Sequence, residues 1–188
     1  AGVAKADSEC SPDQLEACIR SELNETAPRA MAVIDPIRLT ITNRPDGWTE
    51  ECEVEINPND PAAGTRMVKT GKHLYIEHGE DGDNVLCEVV DGTLGADVPG
   101  VKAKGVVHWV NADDCVDIEA RYYDYLLLPY DGVHEDFAER MNPDSLVIYK
   151  GKGEAMLGEA EKGQAFQFVR TGFFVRDTRS DGIVYNRV

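Results

Sequence analysis

The chain has 188 residues, of which 42% are hydrophobic and 29% charged, enough for one sizeable domain or two small ones of ordinary soluble composition. Its 19 basic and 35 acidic side chains give a formal charge of −16. That counts against a generic nucleic-acid binder, which normally carries a basic excess, although it leaves room for a local basic face. No apolar run is long enough for a transmembrane helix, and Ala1 to Cys10 lack the charged, apolar and cleavage regions of a secretory signal. The five cysteines, Cys10, Cys18, Cys52, Cys87 and Cys115, include no Cys-x-x-Cys pair. An odd number so spaced argues against a disulfide framework or a zinc site and for buried structural thiols in a reducing, cytoplasmic setting.

The first predicted element is a helix over residues 12–24. Ser11 can cap it, Pro12 suits its first position and Gln14 can reach back as in a capping box. Leu15, Cys18, Ile19 and Leu23 then fall on one apolar face, and Thr26-Ala27-Pro28 ends the run. After Asp35-Pro36 the period changes to two. Ile37, Leu39 and Ile41 alternate with polar residues, Pro45-Asp46-Gly47 turns, and Cys52, Val54 and Ile56 alternate again. Further strands are expected at Leu74 and Ile76, at Val85 to Val90 and at Gly105 to Val110. The run Ile118 to Leu128 reads as a long strand with a bend, and Ser145 to Tyr149 as a short one. Ala165 to Val175 holds two strands about Thr171-Gly172, and Ile183 to Tyr185 is the last. One more helix, short, is predicted near Val133 to Met141 and stopped by Asn142-Pro143. The fold class is therefore mainly β, one helix followed by roughly nine to eleven short strands, the pattern of barrels or sandwiches.

Catalytic chemistry is hard to find. His73, His78, His108 and His134 are not paired at metal-ligand spacing, and no nucleophile elbow, phosphate loop or dinucleotide fingerprint occurs. His108, inside the apolar run Val106 to Val110, reads as a core or half-buried strand residue. The carboxylates are scattered along turns, with no pair that suggests a glycosidase. No catalytic residue and no metal ligand is assigned.

Several longer words carry a resemblance. They are Leu23-Asn24-Glu25-Thr26-Ala27-Pro28-Arg29-Ala30-Met31-Ala32-Val33-Ile34-Asp35-Pro36, Lys104-Gly105-Val106-Val107-His108-Trp109-Val110, Glu119-Ala120-Arg121-Tyr122-Tyr123-Asp124, Asn142-Pro143-Asp144-Ser145-Leu146-Val147, Phe166-Gln167-Phe168-Val169-Arg170-Thr171-Gly172-Phe173-Phe174 and Val184-Tyr185-Asn186-Arg187-Val188. In this order they resemble the C-terminal anticodon-binding region of glutaminyl-tRNA synthetases, over about residues 12–188. The related glutamyl-tRNA synthetases of archaeal and eukaryotic type share that architecture.

The resemblance implies two small antiparallel β-barrels preceded by one helix. Residues 1–26 would be lead-in and the end of a helical subdomain. Residues 27–188 would form the double barrel, with the distal barrel at approximately 50–117 and the proximal one built from 27–49 and 118–188. It implies tRNA anticodon recognition in support of ATP-dependent ligation of glutamine to its tRNA. The implied partners are glutamine tRNA and the synthetase's own catalytic domain, in a cytoplasmic monomer without membrane contact. The family's HIGH-type and KMSKS-type ATP motifs are absent here, so ATP belongs to a catalytic domain that this sequence does not contain, and no cofactor is expected in this chain.

The same resemblance implies that Arg29, Gln167 and Arg170 gather around the central anticodon base, a uridine. Arginines can donate to its carbonyls, and the Gln167 amide can donate and accept. Gln167 and Arg170 are three apart and would face opposite sides of a straight strand, so a twist or bulge is required. Lys102, Lys104 and Arg121 are weaker candidates for phosphate contacts. A solvated face, or local ion pairs with Asp113, Asp114 and Asp117, accounts for them equally well.

One departure stands out. After His73-Leu74-Tyr75-Ile76-Glu77 the family continues through an acidic segment, a basic strand and an apolar strand. Here the chain passes straight to His78-Gly79-Glu80-Asp81-Gly82-Asp83-Asn84. Those strands carry the family's readers of the first and third anticodon bases. The expected explanation is a stretch left out of this sequence, because a barrel that lost two strands would expose unpaired edges. The alternative is a true deletion re-paired through a tight turn. Two other functional readings stay open: a degenerate barrel pair serving as a protein-interaction module, and a small β enzyme or carbohydrate-binding module.

Overall fold

Two strands separated by a single residue lie at opposite edges of one sheet, and that sets the architecture. The computed structural model describes residues 12–78, 84–91, 100, 105, 107–129, 132 and 136–188. In chain order its elements are α1 (Pro12–Thr26), β1 (Arg29–Ala30), β2 (Ala32–Ile34), β3 (Pro36–Ile41), β4 (Thr49–Glu55), β5 (Thr65–Gly71), β6 (His73–Glu77), β7 (Asn84–Cys87), β8 (Trp109–Asn111), β9 (Cys115–Tyr123), β10 (Leu146–Glu154), α2 (Met156–Glu159), β11 (Ala165–Phe168), β12 (Gly172–Arg176) and β13 (Val184–Arg187). A seven-stranded sheet runs in the order β1-β11-β12-β13-β9-β10-β2. Met31 joins its first and last strands covalently, so the sheet must curl until its edges approach, forming a nearly closed barrel.

The barrel interior alternates small and large side chains, as a tight barrel requires. Ala30, Ala32 and Ala120 face Phe166, Phe168, Phe174 and Tyr185, all essentially without solvent exposure. Phe168 stacks on Phe174 with ring centroids 4.4 Å apart. The buried Tyr185 hydroxyl donates to the Leu157 carbonyl at 2.7 Å, which satisfies its one polar atom. β10 approaches β2 so closely that a Cβ at Gly151 would stand 2.8 Å from the Val33 carbonyl oxygen.

A second, four-stranded sheet has the order β7-β3-β6-β8, and β4 and β5 pair as a separate hairpin. The hydrogen-bonded sheets divide at Asp35, whose φ of 48° turns β2 out of the barrel and into β3. They divide again between β8 and β9. Three pairings, β1 with β11, β13 with β9 and β3 with β7, are parallel; the rest are antiparallel.

The mainly β class and the helix at the start agree with the sequence reading. Several details differ. The predicted helix near Val133 to Met141 is a single 3-10 turn at Phe137–Arg140, capped by the Asp136 carboxylate accepting from the Ala138 N–H at 3.0 Å; residues 133–135 lie outside the described residues. The predicted long strand to Leu128 ends at Tyr123, and Leu127 keeps only an isolated bridge to Met141. β10 runs on through Lys150-Gly151-Lys152-Gly153 to Glu154, and β5 and α2 had no clear periodic signal. The predicted apolar face of α1 is buried only in part: Ile19 and Leu23 are half-buried, but Leu15 is 46% exposed, whereas Glu16 is 8% exposed and bonded to Arg20 at 2.7 Å. The cysteines are not buried either. Cys18 is exposed, Cys52, Cys87 and Cys115 are half-buried, and Cys10 lies outside the described residues.

Candidate nucleic-acid interface

β1 is two residues long and is held along both edges. Toward β11, the Gln167 N–H donates to the Pro28 carbonyl at 3.0 Å and the Val169 N–H to the Ala30 carbonyl at 3.1 Å. On the other edge, the Arg29 N–H donates to the Ile56 carbonyl at 2.7 Å, and the Arg29 carbonyl accepts from Arg66 Nη2 at 3.1 Å. The parallel register sets Arg29 directly opposite Gln167. Their neighbours Ala30, Phe166 and Phe168 point into the core, so alternation turns Arg29 and Gln167 outward together. Arg29 Nε donates to Gln167 Oε1 at 3.0 Å.

Arg170 lies in the turn between β11 and β12 rather than in a strand. Its φ is 66°, in the left-handed region. β11 has already ended at Phe168, so two-residue alternation no longer fixes the direction of position 170. The required departure from a straight strand is thus a hairpin turn. Arg170 is exposed, Arg29 and Gln167 are half-buried, and none of the three sits in the core.

The charge of Arg170 is felt at His108, which precedes β8. That charge is one of the influences that hold the His108 imidazole below its usual range, after the larger effect of burial. His108 is 2% exposed, as the sequence reading expected of a core histidine, and it is neutral at pH 7. It contacts Glu77 at the end of β6, Nδ1 to Oε1 3.3 Å.

The weaker candidates divide. Lys102 and Lys104 lie outside the described residues. Arg121 is half-buried on β9, four strands from β1 in the sheet order, and its Nε is 2.6 Å from Glu119 Oε1. It is not part of the cluster, and its partner is Glu119 rather than the aspartates named from sequence. Asp117 instead pairs with Lys152 at 2.6 Å.

Two residues absent from the sequence reading adjoin Arg29. Arg66 on β5 stands 2.7 Å from Glu154 at the end of β10. At that distance the two opposite charges form a close, largely buried ion pair. Burial pushes the Glu154 carboxyl above the usual carboxylate range, and Arg66 opposes that shift. No sequence pattern marked Arg66. It is in phase with Val68 and Thr70, the buried positions of β5, so it is a charge on the inward face of an alternating strand. A hollow of about 190 Å³ lies beside it, where the aliphatic side chains of Met31, Val54 and Val169 meet the charges of Arg29, Glu55 and Arg66.

Such a site suits a planar polar group. Gln167 Oε1 receives one N–H from Arg29 and keeps a second lone pair, while its amide nitrogen can donate. Arginine terminal nitrogens add further donors in a fixed fork. Among the described residues no group of three or more His, Cys, Asp or Glu could hold a metal ion.

Two family models, each described as tRNA synthetases class I (E and Q), anti-codon binding domain, match the chain in succession, over residues 27–113 and 106–177. The glutamine–tRNA ligases of Salmonella newport (strain SL254) and Salmonella heidelberg (strain SL476) are each 37% identical to it over 228 aligned positions. These alignments cover 99% of this chain and 41% of the relative, so the chain spans about two fifths of the length of the curated relatives it matches. The 228 aligned positions exceed the 188 residues by 40, so at least that many positions of the relatives have no counterpart here. The two family matches and these relatives agree with the two-sheet fold: the chain belongs to the anticodon-binding domain family of the class I (E and Q) tRNA synthetases.

Proposed function

We propose that this chain reads the anticodon of a glutamine tRNA, as the recognition part of a glutamine–tRNA ligase whose chemistry is done by other residues. The observation that carries the reading is the Arg29–Gln167 pair, set side by side by a parallel strand register with Arg170 at the adjoining hairpin. A uridine presents two carbonyl acceptors and one N–H donor. The arginine and amide N–H groups meet the carbonyls, and the remaining lone pair of Gln167 Oε1 meets the uridine N–H. A cytidine replaces one carbonyl with an amino group and the N–H with an acceptor, so the same donors would oppose a donor.

The test is a titration with glutamine tRNA at two salt concentrations, with a central-base variant beside it. Expected are tighter binding at low salt and weaker binding of the variant. Binding insensitive to both salt and the central base would overturn the reading. Glutamine-dependent ATP–pyrophosphate exchange is not expected from this chain, because the ATP motifs of the family are absent from the sequence. Exchange above the buffer control after a second purification step would contradict that.

The protein-interaction reading has one observation in its favour. Leu126, Phe137, Ile148 and Tyr149, in the β9–β10 hairpin and its connecting loop, are between 41% and 67% exposed. A protein module of this kind would show no preference among central bases, which the titration also reads.

A further inference from the structure

The Arg66–Glu154 pair has no counterpart in the base-reading chemistry above, yet it touches that site through the backbone. Arg66 comes from the β4–β5 hairpin and Glu154 from the barrel. Its Nη2 contacts Glu154 Oε2 at 2.7 Å and also donates to the Arg29 carbonyl at 3.1 Å. The Glu154 N–H donates to the Met31 carbonyl at 3.0 Å. A closed circuit results: Arg29 to Arg66, Arg66 to Glu154, Glu154 to Met31, and two peptide bonds back to Arg29. The hairpin contributes a second tie, because Ile56, just past β4, accepts the Arg29 N–H at 2.7 Å.

We propose that Arg66, anchored by Glu154, is a positioning residue that fixes Arg29 for base reading and so couples the β4–β5 hairpin to the anticodon site. The inference rests on the reading of Arg29 as a base contact. Three physical points support it. β1 has only two residues, so it has little regular structure of its own to set the Arg29 backbone. The Glu154 side chain is 9% exposed and the Arg66 side chain 21%, so water screens the contact poorly and both partners are held in place. Both contacts are made by Nη2, whose two N–H groups point at fixed angles in the plane of the guanidinium, whereas an ammonium on a flexible stem holds that geometry less well. Specificity of the kind proposed needs the reading groups held to within about 0.5 Å, which such supporting contacts provide.

The experiment compares the 188-residue chain with its Arg66→Lys and Glu154→Gln variants. Two stem-loop RNAs are used, with uridine or cytidine at the centre of the anticodon. Arg66→Lys keeps the charge but not the fork, and Glu154→Gln keeps the shape but not the anchoring charge. Both are expected to lower the uridine-to-cytidine preference about tenfold. Amide exchange should quicken at Arg29 while Phe168 keeps its protection. Arg29→Ala should abolish the preference, and adding Arg66→Lys to it should cost nothing further, since the two act as one unit. A variant that folds, keeps the full preference and leaves exchange at Arg29 unchanged overturns the inference. If the unsubstituted chain shows no preference, the function proposed above fails and this inference falls with it. If Arg66→Lys does not fold, Glu154→Gln alone decides by the same two readouts.

Discussion

The barrel and the β4–β5 hairpin are held by different physics. The barrel closes on itself through Met31 and is filled by Phe166, Phe168, Phe174 and Tyr185. The hairpin buries little: of its strand residues only Val68, Thr70 and Gly71 are buried, and Glu50, Glu51, Glu53 and Glu55 face solvent. Its ties to the barrel side are polar, through Arg66 and Ile56. Apolar packing responds little to pH and gives way cooperatively. Polar ties are local and adjustable. The proposed reading surface falls where the two meet, so a rigid barrel presents Gln167 while the partner unit trims the position of Arg29.

The largest effect should come from the barrel core. Phe168→Ala removes a ring stacked at 4.4 Å in a site with no exposure, and should destabilise the chain by about 3–5 kcal/mol in urea unfolding. A loss below about 1 kcal/mol would break the comparison, since the barrel would then not be the stable half.

Arg170→Ala comes next, on binding rather than folding. A weakening by about 1–3 kcal/mol that depends on the central base is expected if the guanidinium meets a base edge, by analogy with bidentate readout in DNA. An equal loss for every base would show that the hairpin holds phosphate.

His108 sharpens the comparison through pH. Burial holds its folded pKa below the ordinary 6.5, so the unfolded chain binds the extra proton first. The stabilisation is complete above about pH 6.5 and is lost as pH falls from there through the folded value, by no more than about 1.4 kcal/mol per pH unit for one group. Urea midpoints of His108→Gln should fall less steeply than those of the unsubstituted chain across that window. Parallel curves would remove His108 from the account.

Smallest should be Lys152→Ala. Lys152 pairs with Asp117 at 2.6 Å, but that carboxylate is 87% exposed, so a cost of about 0–1 kcal/mol is expected from thermal or urea unfolding. A larger loss would point to its other contact, over the Tyr75 ring of β6 at 5.0 Å, as a real tie between the sheets.

Much of the fold was legible because it is local. Alternation at Ile37, Leu39 and Ile41 marked β3, Pro12 marked the start of α1, and Thr171-Gly172 marked the β11–β12 hairpin. Reading failed where local pattern and tertiary burial disagree. Leu15 and Cys18 looked like the buried face of α1, but Arg187 Nη2 approaches Glu16 at 3.4 Å and Glu16 is the buried residue. β5 lacked a recognisable pattern because one of its inward positions is Arg66.

The sequence by itself determined the class of fold, the absence of the family's ATP motifs and the identity of Arg29, Gln167 and Arg170 as residues to watch, the last through resemblance to other sequences. Only the tertiary structure decided that Arg29 and Gln167, 138 positions apart, share a hydrogen bond, that Arg170 turns through a left-handed hairpin, and that Arg66 and Glu154 stand behind them. The reason is physical. Strand alternation and helix caps are set by neighbours along the chain, whereas register between β1 and β11 is set by which faces the barrel can bury, and no local stretch of sequence carries that choice.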